Sequence, residues 1–342
     1  MKKKVLAILL AVLLVSVLFA GCSSAQKPQQ QKPAEQKPAE KVIKVAAVYA
    51  TPIEEPWDGA IHKALLKAEK ELGIQYDWTE NVGYADFEKV LREYADKGYD
   101  IIFGDAFGSE DAVRRVAKDY PKIAFVFGSG EGPMDPNLSV FDDWIQEPAY
   151  LCGLIAGKIT KTNVVGVVAG VPVPEVNRIV NAFIYGVKEV NPKAKVLVSF
   201  IGSWFNPTKA KEMALAEIQK GADVMYAERY GVIDACKEKH VYVFGNLLDQ
   251  HSLAPNYVIT GPVWDMWPTV KYVIESVKNG TYHAQDLREW SMMAKGGAKL
   301  APFYEFKDKL PKDVLELVQK KEEEIKEGKF RVPINEAPPK SG

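Results

Sequence analysis

Residues 42–73 read VIKVAAVYATPIEEPWDGAIHKALLKAEKELG: a β-branched apolar run, a proline-bounded loop, and an amphipathic stretch closed by glycine. Val42–Tyr49 predicts a buried strand, because a short apolar run without alternation suits a strand covered on both faces. Trp57–Gly73 predicts a helix, with Gly73 supplying the left-handed C-terminal residue. The unit then repeats. Strands are expected at Gln75–Glu80, Ile101–Gly104, Lys122–Phe127 and Leu138–Phe141, and helices at Tyr84–Gly98 and Ser109–Asp119. Such alternation predicts an α/β protein with a mainly parallel sheet and helices on both faces.

Beyond residue 160 the pattern restarts. Val164–Val171, Val196–Ile201, Val224–Tyr226 and Val241–Phe244 are expected strands; Pro174–Asn191, Pro207–Gly221 and Val232–Lys239 are expected helices. A strand at Tyr257–Gly261 and helices at Trp264–Gly280 and Asp313–Gly328 follow. The 342 residues thus divide into two wound lobes, in line with about 150 residues per domain. In open α/β sheets ligands sit outside the carboxyl ends of the strands, so two facing lobes place a site in the cleft between them.

The ends of the chain carry a different signal. Met1-Lys2-Lys3-Lys4 precedes a 16-residue run, Val5–Ala20, broken only by Ser16. That is short for a membrane span and suits a signal segment, with an uncleaved signal anchor as the alternative. Phe19-Ala20-Gly21-Cys22 resembles a bacterial lipobox, in which Cys22 is lipidated after removal of residues 1–21; Leu is usual where Phe19 stands. Residues 22–41, with QKPAE-like repeats and no large apolar side chain, cannot bury enough surface to fold and read as a flexible tether. The expected location is lipid-anchored on the outer face of a cell membrane.

Composition and motifs exclude more than they include. With 44 Lys+Arg against 45 Asp+Glu, charge gives no reason to expect nucleic acid as a partner. No G-x-S-x-G, Walker A, H-E-x-x-H or C-x-x-C pattern is present. His62, His240, His251 and His283 lack metal-ligand spacing, so neither metal nor cofactor is expected. Cys152 and Cys236 sit in helical patterns and read as small core hydrophobes, with a mutual disulfide as the alternative. The cluster Gly128-Ser129-Gly130-Glu131-Gly132 lacks dinucleotide-binding spacing; it is either a plain turn or a ligand-facing loop.

Aromatic side chains at strand–helix junctions are the informative feature. Trp57 follows the first strand's loop, Trp204 and Phe205 stand at the matching place in the second lobe, and Trp264 opens the late helix. Aromatic walls from opposite lobes would sandwich a planar ring at about 1–3 kcal/mol per stack; the alternative is packing of lobe on lobe. Asp105, Asn206, Glu228, Arg229 and Asp249 lie at the same junctions and would read ring edges, although Glu228 and Arg229 could simply pair with each other.

The segments Pro56-Trp57-Asp58-Gly59, Glu147–Gly157, Gly202–Glu212 and Gly245–Gln250 resemble the basic membrane protein family of substrate-binding lipoproteins that serve ABC importers. The resemblance implies the type I periplasmic-binding-protein fold, with three crossings between lobes. They are expected near Asp143, Asn256 and Gly280, so that 42–143 and 256–280 form one lobe, 144–255 and 281–331 the other, and 332–342 a tail. It also implies a monomer without catalytic chemistry that docks on permease subunits, and a purine held between Trp57 and Trp204. Nucleoside-binding members carry an acid at the end of the fourth strand and a lysine near the ribose; here Phe127-Gly128 and Trp264 stand at those places. A free base such as adenine is therefore expected over a nucleoside. A sugar or autoinducer receptor, or a ligand-sensing lipoprotein of the same fold, is the alternative; a surface hydrolase has no motif behind it.

Overall fold

The computed structural model describes residues 41–342. The signal segment, Cys22 and all but the last residue of the tether lie outside the described residues. Among the described residues no helix is long and apolar enough to cross a membrane.

The first half runs β1 (Lys44–Val48), α1 (Pro56–Leu72), β2 (Gln75–Thr79), α2 (Tyr84–Asp96), β3 (Ile101–Asp105), α3 (Glu110–Asp119), β4 (Ala124–Gly128) and β5 (Leu138–Phe141). These strands form a parallel sheet in the order β2-β1-β3-β4-β5. Strands β1, β3, β4 and β5 are almost wholly buried, which is why they read as continuous apolar runs.

The second half runs α4 (Gln146–Ile159), β6 (Val164–Ala169), α5 (Pro174–Val190), β7 (Lys195–Phe200), α6 (Pro207–Gln219), β8 (Val224–Ala227), α7 (Val232–Lys239) and β9 (Tyr242–Phe244). Its parallel order is β7-β6-β8-β9, the same winding as the first sheet. An antiparallel ribbon of β10 (Pro262–Trp264) and β11 (Ala298–Leu300) flanks α8 (Trp267–Lys278), and α9 (Phe306–Lys309) and α10 (Lys312–Lys326) close the chain. Trp264 therefore ends a strand and does not open the late helix.

Backbone pairing sets where the chain changes lobes. Asp142–Ile145 joins β5 to α4. Residues 257–260 extend the second sheet beyond β9, with Ile259 N donating to Val243 O at 3.0 Å and Gly245 N to Thr260 O at 3.0 Å. The crossing expected near Asn256 thus falls after Thr260. Similarly, Leu287 N donates to Val140 O at 2.7 Å and the Tyr282 hydroxyl to Ser139 Oγ at 2.8 Å, so residues 281–287 lie along β5. The crossing expected near Gly280 comes after Leu287, because the outer edge of β5 needs backbone partners. The expected tail is no tail either. Asn181 Nδ2 donates to the carbonyls of Asn335 and Ala337, and Gly342 exchanges backbone bonds with Val196 on β7.

One apolar cluster runs through the inner faces of both lobes, from Val45 and Trp57 to Val167 and Tyr226. Two further clusters lie under α2–α3 and under α6–α7. Cys152 and Cys236 are free and buried, in different clusters. Helices α4 and α5 meet through glycine. A Cβ on Gly186 would lie 2.2 Å from the Tyr150 carbonyl oxygen, and one on Gly153 2.1 Å from that of Phe183.

Gly186→Ala is expected to force these helices apart and to cost about 1–3 kcal/mol, seen as a lower urea midpoint. Gly132→Ala, where a methyl meets nothing within 4 Å, should leave the midpoint in place; equal midpoints for all three proteins would refute so close a contact. A second expectation concerns pH. Glu217 on α6 is buried, its Oε1 accepting from Ser199 Oγ at 2.6 Å, and burial pushes its carboxyl up to about 8. The folded state keeps a proton that the unfolded chain has released, so this contribution is whole below about 4.5 and gone above about 8. Glu217→Gln should lose less urea stability than the parent between pH 5 and 8; an equal loss would mean the carboxyl is ionised throughout.

Candidate ligand-binding site

The switch point of each sheet, where the strand order reverses, lies between β1 and β3 and between β6 and β8. The loops leaving those strands converge on a cavity of about 170 Å³. Its geometry starts at the first turn of α1. Pro56 occupies the first helical position, where its missing N–H is not needed, and Glu55 is the N-cap. Glu55 Oε2 accepts from Trp57 N at 2.9 Å and Asp58 N at 3.3 Å, which fixes the start of the helix and with it the Trp57 side chain.

The other oxygen of Glu55 crosses to the second lobe, where Arg229 Nη1 donates to it at 3.1 Å. Arg229 also donates to both oxygens of Glu228, at 2.5 and 2.9 Å, and to the Trp204 carbonyl at 3.3 Å. All three charged residues are buried. The guanidinium lies 5.3 Å from the Trp204 ring centroid, and Phe107 meets that ring edge-on from the first lobe at 5.0 Å. Two contacts thus draw the lobes together: a buried ion pair and an aromatic edge.

Trp57 is only 6% exposed. Its ring stacks on Phe141 at 5.8 Å and tilts against Trp264 at 4.9 Å. Gly128 makes room for it, because a Cβ there would lie 2.0 Å from Trp57 Cη2.

Carboxyl groups dominate the rest of the wall. Asp105, at the end of β3, accepts from Phe107 N at 2.9 Å, and burial pushes it up to about 7. Asp58 accepts from Thr51 N at 3.2 Å and Thr51 Oγ1 at 2.5 Å; burial, with Glu55 and Asp105 beside it, raises it well above the usual range. Glu175 in the first turn of α5 is pushed up to about 8 by burial and by Asp142. Burial likewise raises Glu55, against the pull of Arg229. Carboxylate oxygens of Asp142, Asp143 and Glu175 lie within 4.8 Å of one another, as in a cation site. Arg178 supplies the positive charge there instead, 2.8 Å from Asp142 and 3.7 Å from Asp143.

Of the residues singled out from sequence, Trp57, Trp204, Asp105 and Arg229 line the cavity. Glu228 and Gly128 stand behind it, one holding Arg229 and the other admitting the Trp57 ring. Four are engaged elsewhere. Phe205 stacks on Tyr230, and Asn206 caps α6 by accepting from Lys209 N at 3.0 Å. Asp249 accepts from the Tyr304 hydroxyl at 2.6 Å. Trp264 is 2% exposed with its Nε1 donating to Ser291 Oγ at 2.9 Å, so it is a core residue beneath Trp57 and not a wall of the cleft. Glu55, Asp58 and Glu175 escaped sequence reasoning. Their shared signal was an acid within two residues of the proline that starts a helix after a strand.

Comparison with known proteins agrees with this architecture. Residues 42–336 match the family model described as Bmp, ABC transporter substrate-binding protein PnrA-like. A purine-binding protein of Brucella abortus is 31% identical over 294 residues, covering 84% of this chain and 82% of that protein. A Haloferax volcanii protein named as a candidate ABC transporter glucose-binding protein is 33% identical over 264 residues, 75% of this chain and 66% of its own. Among solved structures, a solute-binding protein of an ABC transporter system from Aeropyrum pernix superposes with a TM-score of 0.72 at 21% identity, covering 86% of this chain and 94% of that one. The chain belongs to the Bmp family of ABC transporter substrate-binding proteins, extracytoplasmic proteins that bind a small molecule and engage permease subunits.

Proposed function

We propose that the cavity captures a purine nucleobase, adenine foremost, stacked between Trp57 and Trp204, and that closure of the lobes over it presents the complex to an ABC permease. The observation that carries this reading is the presence of one indole from each lobe on the wall of a single small cavity. Sites for drug-sized ligands run to roughly 300–1,000 Å³, so about 170 Å³ suits a bicyclic base better than a base with its ribose. Carboxyl groups on the same wall accept hydrogen bonds from ring or exocyclic N–H groups. The Brucella abortus relative, named for purine binding, points the same way. Micromolar binding takes about 8.2 kcal/mol, which two stacks at roughly 1–3 kcal/mol each and a few hydrogen bonds reach. In this reading a lipid on Cys22 and the tether that follows hold a monomer at the membrane, and the protein performs no catalysis.

A sugar is the second reading, favoured by the name of the Haloferax volcanii relative. It calls on the same acids but on one aromatic face, where a base uses two. Calorimetric titration of the body from Lys41, refolded free of ligand, separates them. Adenine should bind more tightly than adenosine, and glucose should not compete. Trp204→Ala should weaken adenine roughly five- to hundredfold, with an unchanged circular dichroism spectrum. Tighter adenosine binding would overturn the base preference, and glucose binding alone would overturn the purine.

Arg229→Met is expected to leave Glu55 and Glu228 buried without a counter-charge. Removing one member of a buried pair costs about 3–5 kcal/mol; the part due to Glu55 falls on the closed arrangement, because Glu55 and Arg229 come from different lobes, whereas Glu228 loses its partner at any lobe angle. The radius of gyration from small-angle scattering should then stay at its ligand-free value when adenine is added. A variant that contracts like the parent would show that closure does not need the pair.

A further inference from the structure

We propose that Asp105 reads the ligand as a neutral carboxylic acid, donating its proton to a ring nitrogen and accepting from the adjacent exocyclic amino group of an amino-purine. The proposal rests on the purine reading above and names the group that gives adenine its place.

Position comes first. Asp105 is in register with Gly128 across β3 and β4, and register neighbours in a parallel pair project to the same side of the sheet. On that side the absent side chain of Gly128 is replaced by the Cη2 corner of the Trp57 indole. The Asp105 carboxyl therefore stands at the rim of the ring that forms the stacking wall, where the edge of a stacked base would lie. Its Oδ1 is held by Phe107 N, so the carboxyl is oriented before any ligand arrives.

Charge decides its protonation. Glu55, Asp58, Asp105 and Glu175 share one small cavity with a single cation, Arg229, whose N–H groups already serve Glu228, Glu55 and the Trp204 carbonyl. Four carboxylates cannot all ionise at such separations in a medium of low dielectric. Glu55 has two helix N–H groups and Arg229, Asp58 has two donors from Thr51, and Glu175 has the pull of Arg178 and Arg229. Asp105 has two donors as Asp58 does, the Phe107 N–H and the Ser129 side chain, and no cation; Asp58 and Glu175 are displaced toward the neutral form as well, and Asp105 is the one of the three that lies level with the Trp57 corner. Around it stand Glu55 and Asp58 from α1, Tyr84 from α2, Asp142 after β5, Glu175 from α5, and Arg229 after β8. Burial, with Asp142 and Glu55 adding to it, carries the Asp105 carboxyl up to about 7.

A neutral acid offers one donor and one acceptor, which complements the ring nitrogen and amino group of adenine. An ionised carboxylate accepts only, and so meets the adenine ring nitrogen with a like group. Guanine presents two neighbouring donors, N1–H and its exocyclic amino group, and is served by the ionised form. Adenine binding must then hold a proton on the protein, and its affinity must fall as pH rises through the titration of Asp105.

The test is calorimetric titration of the refolded body with adenine and with guanine from pH 5.5 to 8.5, in buffers of different ionisation enthalpy. The adenine Kd should rise about tenfold between pH 6 and pH 8, as one titration near 7 requires, with close to one proton taken up per adenine at pH 8. Guanine affinity should not fall over that range. Asp105→Asn, which carries a fixed donor and a fixed acceptor, should abolish both the slope and the proton uptake, whereas Glu217→Gln, which removes a carboxyl displaced to a similar range outside the cavity, should keep them. A flat adenine profile in the parent, or an unchanged slope in Asp105→Asn, would overturn this assignment and leave the purine reading standing. Failure of both purines to bind at every pH would overturn the two together.

Discussion

A single carboxylate, Glu55, ties the local geometry of the first lobe to the relation between the lobes. One of its oxygens completes the N-terminus of α1 and the other receives Arg229 from beyond β8. Buried ion pairs seldom add net stability, because desolvation consumes most of the Coulombic gain. They penalise misplacement instead. If Glu55 moved by an ångström to suit a different lobe angle, the first turn of α1 would lose its cap and Trp57 its anchor. The placement of the Trp57 ring and the contact between the lobes are thus specified by one group. Glu228 completes the design, holding Arg229 by two bonds so that the guanidinium waits in a fixed orientation.

The acidity of the cavity has its origin in the winding. Both sheets reverse their strand order at the same point, and that brings the N-termini of α1 and α5 to the cleft, each with proline at its first position and an acid in its first turn. A helix N-terminus favours a negative charge by about 0.3–1 kcal/mol. Burial between lobes opposes it with a penalty of several kcal/mol for an uncompensated ion. Burial prevails, which is why Asp58, Glu175 and Asp105 are all displaced toward the protonated form. The site is acidic by composition and only partly anionic in charge, as the purine reading proposed above calls for.

Much of this was legible in the sequence, and the limit has a physical cause. Apolar runs marked the strands and amphipathic stretches the helices because burial dictates both patterns. The rule that ligands sit at strand ends then led to Trp57, Trp204, Asp105 and Arg229. That rule gives a position along the chain, not the direction of a side chain. Trp264 follows an apolar run as Trp57 does, yet it ends the strand of a two-stranded ribbon and points inward to Ser291. Asn206 and Asp249 lie at junctions too, but each is taken up by a neighbour in its own loop or by Tyr304. The lobe crossings were misjudged by several residues for a related reason. Residues 257–260 and 281–287 pair along exposed sheet edges, and edge pairing between segments distant in sequence leaves no periodic trace. Glu55 was overlooked because an acid next to proline reads as solvated until the partner lobe is present.

The pairing of Trp57 with Gly128 links sequence to the size of the cavity. An indole at the start of α1 reaches the end of β4, and its Cη2 corner occupies the space of a side chain at position 128. No residue with a Cβ fits there without moving the ring, and the ring is wedged by Phe141 and Trp264. An acid on β4 and an indole on α1 are therefore mutually exclusive in this packing. On the neighbouring strand Asp105 is level with Gly128, and it lines the same cavity as the indole. Trp264 fills the volume beneath, so the indole has no space to retreat into. The position of the indole and the small size of the cavity both follow from one use of volume, the far corner of a tryptophan on α1 standing where a side chain on β4 would otherwise be.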